Sequence, residues 1–175
     1  GNLRGMREIF GPADRKAAAA RRPGSDVDRF VSIDGGGIYV TTVAVGSRRY
    51  RVTFKGPGGH SFAAFGLANP ANALGRAVAK IADLKVPATP RTTFNVGRIG
   101  GGTSVNAIPA EAWFEADLRS SDGAALAALD AQFLKAVDAA AAEENARWGR
   151  PGAVTVVKEL VGDRPRSEEH TSELQ

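Results

Sequence analysis

The segment Gly56-Pro57-Gly58-Gly59-His60-Ser61 holds an imidazole in a turn rich in glycine. Glycine and proline fix such a turn and let another group come close to the backbone. An imidazole held there can donate to an anion or a developing oxyanion, or can ligate a metal; alone it also reads as a solvated loop histidine. Asn106 ends the glycine-rich stretch Gly100-Gly101-Gly102-Thr103-Ser104-Val105-Asn106, just before Ile108-Pro109. An amide in that position either stabilises a turn or holds a ligand. Arg119 closes Asp117-Leu118-Arg119. Its guanidinium is always charged and forks to suit a carboxylate, though Asp117 or Glu115 on the same face offers a surface ion pair instead. Asp34 follows the short apolar run Phe30-Val31-Ser32-Ile33 and precedes three glycines. That suits the carboxyl edge of a buried α/β strand, where sites gather, and equally an Asp-Gly turn. Neither glycine run has the Lys-Ser/Thr of a phosphate-binding loop or the spacing of a dinucleotide site.

The elements that must carry these residues follow from periodicity. Tyr50, Val52 and Phe54 alternate with Arg51, Thr53 and Lys55, the pattern of a half-buried strand. Asn69-Pro70 supplies a helix cap and first-turn proline, and Leu74, Ala77, Val78, Ile81 and Leu84 follow at helical spacing. Phe94 and Val96 mark a second strand. Ala112, Phe114, Ala116 and Leu118 mark a third, with Trp113, Glu115, Asp117 and Arg119 on its other face. A long helix through Leu126, Leu129, Phe133, Val137 and Trp148 ends at Gly149-Arg150-Pro151-Gly152, and Val154 to Leu160 forms a closing strand. The order β-α-β-β-α-β predicts an α+β, ferredoxin-like sandwich over residues 46–160, with one sheet face left available. Arg119 belongs to that available face.

A strand running into Gly59-His60-Ser61, a glycine-rich bend ending in Asn106-Ala107-Ile108-Pro109, and a strand ending in Asp117-Leu118-Arg119 occur here in one order. As a set they resemble the lid, or dimerisation, domain of the zinc aminopeptidase and amidohydrolase family. That family includes peptidase T, carboxypeptidase G, aminoacylase and succinyl-diaminopimelate desuccinylase, and the peptidase-T-like branch looks closest. The resemblance covers nearly all of residues 1–165. It implies that residues 1–45 form the edge of a partial α/β catalytic domain, and that 161–165 return to it. It also implies roles: Asp34 a ligand of one of two catalytic metals (zinc or another divalent ion), Asn106 a substrate-holding amide, and Arg119 the holder of a substrate carboxylate. His60 would reach into a partner subunit's active site and stabilise the oxyanion there. Small peptides or acylated amino acids are the implied substrates, and a homodimer through the lid the implied assembly. The family's other metal ligands have no counterparts in this sequence, so the expectation is an internal fragment of a hydrolase, inactive alone. The competing reading is a non-catalytic ferredoxin-like dimerisation or binding module, which leaves Asp34 and the partial α/β segment unexplained.

Residues 166–175, Arg-Ser-Glu-Glu-His-Thr-Ser-Glu-Leu-Gln, are polar and aperiodic and resemble a translated sequencing-library adapter. His170 is therefore not recruited as a ligand. Without this tail the balance is 22 basic against 16 acidic residues. The basic residues are scattered, and the densest cluster, around Ala17 to Ala20, lacks interleaved aromatics, which argues against nucleic acid. With no cysteine there is no disulfide framework or thiolate metal site. No apolar run approaches the ~18 residues of a membrane span, and a cytoplasmic protein is the expectation.

Overall fold

A computed structural model describes residues 45–149 and 153–164. Asp34, the expected catalytic-domain edge and the tail from 166 lie outside the described residues.

The first strand, β1, spans Gly46–Lys55, longer than its alternating half alone predicts. Tyr50, Val52 and Phe54 are buried on one face, and Arg49 and Arg51 lie on the other. Helix α1, Pro70–Ala82, starts as expected: Asn69 Oδ1 accepts from the Ala71 N–H at 2.8 Å and Pro70 opens the first turn. Ala73, Leu74, Ala77 and Ile81 form its buried stripe. The helix stops at Ala82, so Leu84 packs on the core from beyond its end. Strands β3, Thr92–Gly101, and β5, Glu111–Ser120, precede helix α2, Gly123–Arg147. Asp122 caps α2 by accepting from the Ala125 N–H at 2.7 Å, and Gly149, at φ +62°, follows its end. The last strand, β6, spans Thr155–Arg164. Residues 161–164, expected to leave the lid, instead continue this strand past a bulge at Val161.

The sheet order is β3-β5-β1-β6, every pair antiparallel, which is the ferredoxin-like arrangement. Both helices pack on one face, over Val52, Phe54, Phe114 and Leu118, with Phe133 of α2 set among them, all fully buried. Phe114 meets Phe133 edge-on at 6.2 Å, and Tyr50 stacks on Phe133 at 5.2 Å. Truncating Phe133 to alanine would cost about 3–5 kcal/mol.

Three polar ties stitch the helices to this core. Asp130 of α2 accepts from the Tyr50 hydroxyl at 2.7 Å and pairs with Arg48, which explains why a charged residue of β1 faces the helices. Burial and the bond to Asp130 push the Tyr50 phenol up to about 12. The Asn145 amide both donates to the Val154 carbonyl, at 2.9 Å, and accepts from its N–H, at 2.8 Å, clamping the approach to β6. Glu144 is fully buried in α2. Its carboxylate accepts from the Asn69 N–H at 3.1 Å, Trp148 Nε1 at 3.1 Å and Arg76 Nε at 3.2 Å. Burial would raise its pKa, but these donors outweigh it and hold the carboxyl below its usual value.

Candidate functional site: an exposed tip and an open sheet face

Beyond the end of β1, Gly59–His60 forms a two-residue strand, β2, and Ala107–Ile108 forms β4. They pair with each other, His60 opposite Ala107 and Gly59 opposite Ile108. The Ser61 N–H donates to the Asn106 carbonyl at 2.9 Å, extending the ladder by one rung. This pairing, non-local in sequence, is what brings His60 and Asn106 together. The turn needs glycine at Gly58, whose φ is +70° and whose Cβ would press to 3.3 Å from Ala110.

The hydrogen bonds at this tip orient both side chains. The Phe62 N–H donates to His60 Nδ1 at 3.3 Å, which assigns the proton of the neutral ring to Nε2. The Ser104 hydroxyl donates to Asn106 Oδ1 at 2.8 Å, which leaves the Asn106 NH₂ as a donor. The register sets these two side chains on opposite faces of the ladder, since His60 pairs with Ala107 and Asn106 stands opposite Ser61, and each presents a donor from an exposed residue. Around them Phe62 is 88 % exposed and Val105 wholly so.

Arg119 does not join them. It stands near the far end of β5, opposite Ser47 of β1 and Thr93 of β3. Glu111, at the near end, is eight residues away, about 26 Å of extended strand, and the tip lies beyond it. As expected, Arg119 is on the face the helices leave open. Its Nε donates to Asp117 at 2.6 Å, and Asp117 also accepts from Arg49 at 3.1 Å. One rung on, Glu115 accepts from Arg51 at 3.0 Å and from Arg98 at 2.9 Å. Arg51 lies 3.9 Å from the centre of the Trp113 ring, with Arg98 at 5.5 Å. The open face is thus an orderly lattice of arginines and carboxylates. Periodicity shows its residues and the Asp117–Arg119 pair within β5, but not the partners that sit on other strands. Two cavities flank it. One of about 210 Å³ is lined by Arg49, Asn95, Arg98, Asp117 and Val161, and one of about 330 Å³ near the tip by Leu74, Ile99, Gly101, Ser104 and Pro109.

Among the described residues, no three His, Cys, Asp or Glu side chains gather where they would hold a metal ion. His60 is a single donor, so a two-metal centre does not fit the residues described. Among them, too, no helix is long and apolar enough to cross a membrane.

A four-stranded antiparallel sheet with two helices on one face is a ferredoxin-like α+β domain. The chain belongs to the peptidase dimerisation domain family, whose profile matches residues 44–145. No curated protein matches it. Solved structures share the fold at low identity. The aminobenzoyl-glutamate utilization protein from Klebsiella pneumoniae is 17 % identical, with a TM-score of 0.60 over 73 % of this chain and 33 % of that one. A hydantoinase/carbamoylase family amidase from Burkholderia vietnamiensis is 22 % identical, with a TM-score of 0.56 over 72 % of this chain and 29 % of that one. The aminopeptidase PepT from Bacillus cereus is 21 % identical, with a TM-score of 0.54 over 68 % of this chain and 30 % of that one. The chain therefore spans a third or less of the length of these proteins.

Proposed function

We propose that this unit is the lid of a homodimeric, metal-dependent hydrolase that cleaves the amide bond of small peptides or N-acyl amino acids. The observation that carries this reading is the exposed tip ladder, which frees His60 Nε2–H as a donor and presents the Asn106 amide from the neighbouring rung. Family membership supports it, as do fold neighbours titled as an aminopeptidase and amidases. His60 donates to the scissile carbonyl oxygen as it becomes an oxyanion, and Asn106, on the other face of the ladder, is a substrate-holding amide. Arg119 binds a carboxylate of the substrate through its terminal nitrogens, Asp117 holding the guanidinium in place through Nε. These residues act on the substrate alone. The described residues provide no metal-binding set, so the attacking water is not theirs to activate.

A small substrate cannot span the length of β5. The tip and Arg119 of one protomer therefore serve different active sites, and a two-fold dimer sets the tip of one lid against the arginine end of its partner. In the gene product carrying this unit, His60→Ala lowers kcat by roughly 10²–10³, the loss expected of one oxyanion donor. Mixing His60→Ala with Arg119→Ala subunits tests the geometry. Random pairing makes half the dimers mixed, each with one intact site, restoring about a quarter of wild-type activity. A mixture no more active than either variant alone refutes the shared site, and a His60→Ala enzyme of unchanged kcat refutes the tip's role.

A further inference from the structure

The bulge in β6 decides which residue stands beside Arg119. Tyr50 pairs with Leu160, but Arg49 pairs with Gly162, leaving Val161 as the extra residue. From there Ser47 pairs with Arg164 on one side and with Arg119 on the other. Directly paired residues point to the same face, so Arg119, Ser47 and Arg164 form one rung of the open face. Without the bulge, Asp163 would occupy the rung instead, because a one-residue slip turns every side chain over. The bulge thus exchanges an acid for a base there. Two strand spacings place the backbones of Arg119 and Arg164 about 10 Å apart, with only a short serine between them.

The arginines of this region exceed their partners. Asp117 is shared by Arg49 and Arg119, and the other open-face neighbours are the neutral Thr93, Asn95 and Gly162. Gly162 leaves room for the stem of Arg49, which a Cβ would meet at 3.3 Å. The Nε of Arg164 is shut from solvent and has no hydrogen-bond partner, the one such buried side-chain atom among the described residues. A guanidinium with an orphaned donor, on the same rung as a second arginine, is short of an anion.

We propose that Arg119 and Arg164 together form a receptor for one carboxylate group, with Arg164 the second arm that completes the grip. This rests on the reading of Arg119 given above and deepens it: the ligand carries a free carboxylate, and its amide is refused. The two arms reach the same group from the strands on either side of β1, so selectivity arises from geometry as well as charge.

The test is a titration of the full 175-residue chain with N-acetylglycine, and separately with N-acetylglycinamide, followed by the arginine Nε–H resonances in NMR spectra. The expected result is that the resonances of both Arg119 and Arg164 move with the acid and not with the amide. Arg164→Gln should weaken binding of the acid about tenfold, and Arg164→Lys, which keeps the charge but loses the fork, should weaken it measurably. Each variant is checked for an unchanged thermal midpoint. Movement of Arg119 alone, movement of neither, an equal response to the amide, or wild-type affinity in Arg164→Gln overturns the proposal. The readout is binding and not turnover. A failed hydrolysis assay therefore leaves the receptor standing, and a failed titration leaves the effect of His60→Ala on kcat untouched.

Discussion

Replacing Glu144 by alanine should unfasten α1 from α2. The carboxylate is fully buried and accepts from Asn69 N–H, Trp148 Nε1 and Arg76 Nε, with the Asn72 amide at 3.5 Å. Arg76 is a third exposed and can turn to water, so its loss counts for little. The Asn69 and Trp148 donors are left with no acceptor, at about 1–3 kcal/mol each, and the expected cost of Glu144→Ala is about 3–4 kcal/mol. For a unit of this size that lowers Tm by roughly 10–20 °C. Glu144→Gln keeps one acceptor oxygen and should cost about half as much. The pH dependence identifies the cause. A carboxyl held below its usual value contributes stability that is present above the unfolded pKa, 4.5 for this group, and is lost as pH falls through the folded value. Urea unfolding of wild type and Glu144→Gln at pH 7 and pH 3 should therefore show a gap that shrinks on acidification. Equal stability at pH 7, or a gap of the same size at both pH values, refutes the account.

Gly101 has φ +127°, and a Cβ there would stand 2.6 Å from the Ala112 Cα, so Gly101→Ala should cost about 2–3 kcal/mol in denaturant unfolding. The Tyr50 phenolate should appear near pH 12 in an absorbance titration. The unfolded phenol ionises near 10, so stability is complete below pH 10 and falls as pH rises towards 12; Tyr50→Phe should abolish that alkaline loss.

The sequence foretold the sandwich because its apolar residues keep strict period. Tyr50 to Phe54 and Ala112 to Leu118 alternate cleanly, and the Asn69-Pro70 cap of α1 is a local signal that formed as written. It foretold less where polar residues serve the core. Arg48 faces the helices only because Asp130 lies 82 positions away to receive it, and Glu144 interrupts the apolar stripe of α2 because it is wanted at the cap of α1. The tip was legible as residue types and not as a unit, since a ladder two residues long joins segments more than forty positions apart. Arg119 was placed on the correct face, with Asp117 beside it. Its distance from His60 follows from the antiparallel register, and Arg164 was hidden by a bulge that no periodicity announces.

Strand β5 carries two messages in one text. Its even-numbered residues, Ala112, Phe114, Ala116 and Leu118, hold the core, while its odd-numbered ones, Trp113, Glu115, Asp117 and Arg119, form the open face. The two sets share a backbone but hardly share contacts, so they can change independently. New ligand preferences could be written along the odd positions over many generations while the scaffold stays intact. Insertion or deletion of a single residue in the middle of the strand has the opposite character, because it corrupts both messages at once. Relatives that have diverged in what they bind should therefore differ in β5 by substitution, with length changes confined to the loops at either end.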